Sequence, residues 1–90
     1  METIGIIEDD ELLAQALAIA LRKEGYQTLS AVNCREGRHL LEKNPDLLLI
    51  DINLPDGDGI SFCRDMRRYQ DIPAIFLTGQ DEEEDMLGAF

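Results

Sequence analysis

Tryptophan is absent from this sequence of 90 residues, and Phe and Tyr bring the aromatic share only to 6%. Any core must therefore rest on Leu, Ile, Ala and Val, and the 44% hydrophobic content is ordinary for one small domain. Long apolar runs are missing too. None approaches the ~20 residues of a bilayer span, and Met1-Glu2-Thr3 is not the basic, then apolar, opening of an export signal. A cytoplasmic location with no membrane partner is the expectation. Cysteine is scarce: Cys34 and Cys63 stand neither as C-x-x-C nor at zinc spacing and are expected to be two reduced thiols. Bases are few beside acids, 8 Lys and Arg against 19 Asp and Glu, for a formal charge of −11. Such a field repels polyphosphate, so no nucleic acid is expected to bind this segment itself.

What is present is organised by short apolar runs that end on acids. Leu47-Leu48-Leu49-Ile50 stops on Asp51, bounded by Pro45 before it and by Pro55, Gly57 and Gly59 after it. Four large aliphatics between such breakers predict a strand buried on both faces in the middle of a parallel sheet. Open α/β sheets place their ligand sites at the carboxyl edge of the strands, so Asp51 stands where chemistry is expected. Thr3-Ile4-Gly5-Ile6-Ile7 is a second such run and delivers Glu8 and Asp9 to the same edge. Residues 26–32 alternate like a strand nearer the sheet edge, and residues 72–77, with Pro73 at the mouth, form a fourth strand that delivers Thr78.

Helical periodicity fills the intervals. Leu12, Leu13, Ala16, Leu17, Ala20 and Leu21 recur at three and four across residues 11–24, with Asp10 as N-cap and Gly25 as a left-handed end. A second helix over residues 34–42 starts from Asn33, turns Leu40 and Leu41 to the sheet and stops at Asn44-Pro45. Ile60, Phe62, Cys63, Met66 and Tyr69 mark a third after the Gly-rich loop, with Asp58 near its start. The acids at 81–85 suit the first turn of a fourth helix. Strand and helix alternating over short connections imply one domain, a parallel sheet covered on both faces.

Glu8, Asp9 and Asp51 converging at one edge would raise one another's pKa values unless a cation sat among them. Magnesium takes about six oxygens and keeps several waters, so two or three carboxylates and a main-chain carbonyl suit it, and no His or Cys is placed for zinc. Beside Mg²⁺ a carboxylate oxygen can attack phosphorus while the Thr78 hydroxyl donates to a phosphoryl oxygen. Plainer roles stand beside these: Asp10 as a cap before a ligand, Thr78 capping the fourth helix, Asp51 as a solvated loop acid. Gly57 and Gly59 read as turn residues, because a longer Gly-rich phosphate loop and its Lys are missing. His39 reads as a surface residue.

Ile6-Ile7-Glu8-Asp9-Asp10, then Leu48-Leu49-Ile50-Asp51-Ile52-Asn53-Leu54-Pro55-Asp56-Gly57-Asp58-Gly59, then Ile72-Pro73-Ala74-Ile75-Phe76-Leu77-Thr78-Gly79 follow one another at spacings that carry a resemblance. From Ile4 to its last residue the chain resembles the receiver domain of a two-component response regulator. The resemblance implies an α/β, flavodoxin-like doubly wound parallel sheet in strand order 2-1-3-4. It implies Asp51 as phosphoacceptor, Glu8 and Asp9 as the acidic pair that holds Mg²⁺ with Asp51 and the main-chain carbonyl of Asn53, and Thr78 as switch hydroxyl. The donor would be the phosphohistidine of a sensor histidine kinase, or a small acyl phosphate, and the domain a switch rather than an enzyme.

The Glu-Asp pair and the Leu-Pro-Asp-Gly loop most resemble regulators with a winged-helix DNA-binding output domain, hence transcription. A fifth strand with a phosphoryl-contacting Lys, an aromatic switch residue and a fifth helix have no counterpart in residues 1–90, and Lys23 and Lys43 fall on helices away from the edge. The expectation is a receiver incomplete at its C-terminus, whose exposed fourth-strand edge invites self-association. Two other functions stay open: an unphosphorylated pseudo-receiver serving as an interaction module, and a haloacid-dehalogenase-type phosphohydrolase, which would need a second acid where Asn53 stands.

Overall fold

The computed structural model describes residues 2–77. In chain order these form β1 (Thr3–Ile7), α1 (Glu11–Lys23), β2 (Gln27–Ala31), α2 (Cys34–Leu41), β3 (Leu47–Asp51), the two-residue strands β4 (Asn53–Leu54) and β5 (Gly57–Asp58), α3 (Gly59–Met66) and β6 (Ala74–Leu77). Four strands pair in parallel in the order β2-β1-β3-β6, which is the expected 2-1-3-4 with β6 as the fourth strand of the sheet. The expected fourth helix and Thr78 lie outside the described residues.

Alternation along the strands divides the core in two. Ile7, Leu48 and Ile50 pack with Cys34, Leu40 and Leu41 of α2 and with Phe62, Cys63 and Met66 of α3. Ile6 points the other way and packs with Ala14 and Ala18 of α1, flanked by Leu17, Leu21 and Leu49. Helices on both faces make the sheet doubly wound, and the chain reverses direction across the sheet between β1 and β3.

Two expected apolar faces are corrected. On α1 the docking stripe is Ala14, Leu17, Ala18 and Leu21, whereas Leu12, Leu13, Ala16 and Ala20 are exposed. Small side chains let the helix lie close above Ile6, so side-chain bulk was a poor guide to which face docks. On α3, Phe62, Cys63 and Met66 are buried at helical spacing, while Ile60 is half exposed and Tyr69 lies in the solvent-facing turn after the helix.

Local signals behave as their chemistry dictates. Asp10 caps α1 by accepting from the amides of Leu12 and Leu13 at 3.1 and 3.2 Å. Gly25 ends that helix at φ +94°, which L side chains rarely adopt. Asn33 caps α2 through the Glu36 amide at 2.8 Å, and Glu36 returns a carboxylate to the Val32 amide at 3.3 Å. The stop after α2 rests on Asn44 itself, at φ 52°, with Pro45 following. Pro73 accepts from the Leu48 amide through its carbonyl at 2.9 Å, so its missing N–H interrupts no ladder. Among the described residues no helix is long and apolar enough to cross a membrane.

Candidate functional site

The β1–β3 register sets Ile7 against Ile50, so the residues one step further, Glu8 and Asp51, meet at the carboxyl edge. Carboxylate oxygens of Glu8, Asp9 and Asp51 all lie within 4.8 Å of one another. Two of these acids are buried, Glu8 at 4% and Asp51 at 8% exposure, while Asp9 is open to solvent. The Glu8 amide donates to the Ala31 carbonyl at 2.9 Å, which ties the site to the end of β2. Its carboxylate accepts from the Asp10 amide at 3.1 Å.

Electrostatically the site is strained by its own charge. Burial pushes the Glu8 carboxyl up to about 7; the Asp10 amide opposes that rise, and contacts with Asp9 and Asp51 add to it. Below neutrality Glu8 thus holds a proton. The donor set is entirely oxygen, two buried carboxylates and one exposed, which fits a hard cation such as Mg²⁺ and offers nothing to a soft one. A cation bound by Asp9 and Asp51 would favour release of the Glu8 proton, whereas without one that proton relieves the repulsion among the three acids.

The loop after Asp51 is folded and not open. Sequence reading leaves residues 53–58 as a Gly-rich loop; they form a small antiparallel hairpin, with Asn53 opposite Asp58 and Leu54 opposite Gly57. Asn53 donates its amide to Asp51 Oδ1 at 3.3 Å, placing it beside the acid at the first residue of β4. Gly59 donates to the Ile52 carbonyl at 2.8 Å, and a Cβ there would sit 2.3 Å from the Asp51 carbonyl oxygen. Only glycine lets α3 begin against the end of β3. Asp58 caps α3 through the Ser61 amide at 2.8 Å, and that bond holds its carboxyl below the usual range.

Asp56 was missed as a separate part of the site. Its Oδ1 accepts from the Cys34 amide at 2.7 Å and its Oδ2 from the Arg35 amide at 3.1 Å, and these bonds, Cys34 foremost, hold its carboxyl low. A signal existed: Asn33 satisfies the Glu36 amide alone, leaving the earlier amides of α2 in need of an acceptor. Cys34 and Cys63 are free and buried, and burial, helped by Asp56, pushes the Cys34 thiol up to about 11. Both are therefore inert thiols.

Of the residues singled out by sequence, Glu8, Asp9, Asp51 and Asn53 come together. Asp10 stays outside as a cap. Lys23 ends α1 and Lys43 follows α2, at the helix ends remote from the acids. His39 is on the surface, 3.2 Å from Glu42.

Comparison with known proteins gives a consistent set of likenesses. Residues 4–90 match the family described as the response regulator receiver domain. The KDP operon transcriptional regulatory protein KdpE of Escherichia coli is 38% identical over 92 aligned residues, covering 99% of this chain and 40% of that protein. The chain thus spans well under half the length of this curated relative. The non-phosphorylated HemR receiver domain of Leptospira biflexa superposes with a TM-score of 0.81 at 32% identity, covering 100% of this chain and 74% of that one. The response regulator MaeR bound to beryllium trifluoride gives 0.81 at 33% identity, covering 99% and 76%.

Proposed function

Because the chain belongs to the response regulator receiver domain family of two-component systems, we propose that it accepts a phosphoryl group on Asp51 with the help of Mg²⁺. The observation that carries this reading is the convergence of the Glu8, Asp9 and Asp51 carboxylates at the switch point of the sheet. Similarity to a regulator solved with beryllium trifluoride, which mimics a phosphoryl group, supports it further.

An Asp51 oxygen attacks phosphorus of a sensor-kinase phosphohistidine, the P–N bond breaks, and the departing imidazole keeps the electron pair and takes up a proton. Glu8, Asp9, Asp51 and the Asn53 carbonyl would hold Mg²⁺, which when bound neutralises charge on the carboxylates and the phosphoryl oxygens. The Asn53 amide steadies the acceptor carboxylate. The Thr78 hydroxyl then donates to the new phosphoryl group, which adds ~2 negative charges at Asp51.

On this reading the domain is a phosphoacceptor switch and not an enzyme with a separate substrate, and its output is transcriptional, as the name of the Escherichia coli relative suggests. Its partner is a sensor histidine kinase. Self-association along β6 belongs to the same proposal: among the described residues that strand pairs only with β3. Sedimentation over a concentration series reads it.

The test of the acceptor is intact mass after incubation with acetyl phosphate or phosphoramidate. One added phosphoryl group that requires both Mg²⁺ and Asp51, and is lost in Asp51→Asn, supports the reading. Uptake by Asp51→Asn at the wild-type rate would overturn it.

A further inference from the structure

The proposed Mg²⁺ ligand Asn53 lies beyond the sheet ladder, which ends with Asp51 opposite Leu77. Its backbone must be fixed by something other than β3. The β4–β5 hairpin is held at its base by two hydrogen bonds, the Asn53 amide on Asp51 Oδ1 and the Gly59 amide on the Ile52 carbonyl, and by the Leu54 side chain buried in the larger core cluster. The two bonds do not reach the tip. At that tip Pro55 and Asp56 make the turn, and there Asp56 reaches across 21 and 22 positions of sequence to the Arg35 and Cys34 amides.

The anchor at the other end is firm. Cys34, Leu40 and Leu41 of α2 belong to the buried core, and Gly57, next in the hairpin, lies so close that a Cβ on it would meet the Cys34 sulfur at 3.2 Å. A carboxylate across two helix-start amides satisfies donors that have no partner within the helix and faces the positive end of the helix dipole. Both oxygens are engaged, at 2.7 and 3.1 Å, which fixes the direction of the Asp56 side chain as well as its position.

We propose that Asp56 is a positioning residue for the metal site: by pinning the tip of the β4–β5 hairpin to the start of α2, it holds the Asn53 carbonyl ready for Mg²⁺ before the ion arrives. The proposal rests on the metal reading given above. It makes the start of α2, through the Cys34 and Arg35 amides, a support for the loop that carries Asn53. Supporting groups of this kind alter metal affinity by about 10–100-fold when removed.

The experiment is calorimetric titration of Mg²⁺ into the whole chain and into Asp56→Ala, Asp56→Asn and Asn33→Ala, with amide hydrogen exchange of residues 53–58 followed in the metal-free proteins. Asn33→Ala weakens the start of α2 without touching the hairpin, so it reports what mere helix destabilisation does. The expected result is Mg²⁺ affinity lowered about tenfold in Asp56→Ala and less in Asp56→Asn, which keeps one acceptor oxygen. Hairpin exchange should quicken in the same order, while Asn33→Ala lowers the melting temperature and keeps wild-type affinity. Wild-type affinity in Asp56→Ala overturns the proposal, as does an equal loss in Asn33→Ala. A wild-type chain that takes up no Mg²⁺ overturns the metal reading instead, a result distinct from either of these.

Discussion

At the carboxyl ends of β1 and β3, acids are buried; along β6, the strand next to β3, large apolar side chains are exposed. Glu8 and Asp51 are 4% and 8% exposed, Ile75 and Phe76 are 53% and 38%. Both regions invert the usual preference for apolar inside and charge outside. In the first, a parallel register forces carboxylates together where the backbone of neighbouring strands shields them. In the second, among the described residues β6 pairs on one side only, and Ile75 and Phe76 in its middle belong to neither buried cluster. The first offers a set of carboxylates that could hold a metal ion, the second an apolar strand left open among the described residues. The centre of the sheet, where Leu48 and Ile50 are fully buried, shows no such inversion.

The comparison breaks first at the acids. Asp9→Asn should slow phosphoryl uptake about a hundredfold or more at saturating donor, since charge neutralisation by the metal is worth several kcal/mol, and rates from a quenched time course read it. Stability comes next. Leu48→Ala should destabilise by about 2–5 kcal/mol in denaturant unfolding, because the side chain is fully buried in the larger core cluster.

A pH effect of about 3 kcal/mol separates the acid edge from the rest of the chain. Glu8 has its carboxyl raised from 4.5 to about 7, so the folded state holds a proton that the unfolded state releases in this window. Metal-free stability should therefore fall as pH rises from about 4.5 to 7, and Glu8→Gln should flatten that fall. Asp56 and Asp58, held below 3.8, add stability above that value which is lost as pH drops through it. Thermal melts from neutrality to well below 3.8, with and without Mg²⁺, check both limbs. The smallest effect belongs to the strand: Ile75→Thr should change stability by no more than about 0.5 kcal/mol while weakening any self-association seen by sedimentation.

The two regions were legible in the sequence to different degrees. Apolar runs ending on acids placed Glu8, Asp9 and Asp51 at one edge, because parallel strands of similar length align their ends and the acids interrupt an otherwise unbroken apolar pattern. The sheet order followed from the family resemblance. What periodicity could not show was which residues on α1 dock, since Ala14 and Ala18 are chosen by distance to Ile6 and not by hydrophobic weight. Nor could it show the Asp56 contact, which joins residues 21 and 22 positions apart through a turn that sequence marks only as Gly- and Pro-rich. Long-range polar contacts leave no periodic trace.

One measurement reads the central claim at the level of a single atom group. Phosphorylate the chain with phosphoramidate and Mg²⁺, reduce the acyl phosphate with borohydride, which converts an aspartyl phosphate to homoserine, and map the change by peptide mass. The account predicts homoserine at position 51 alone, dependent on Mg²⁺. Reduction product at Asp9 or Glu8 with position 51 unchanged would contradict it.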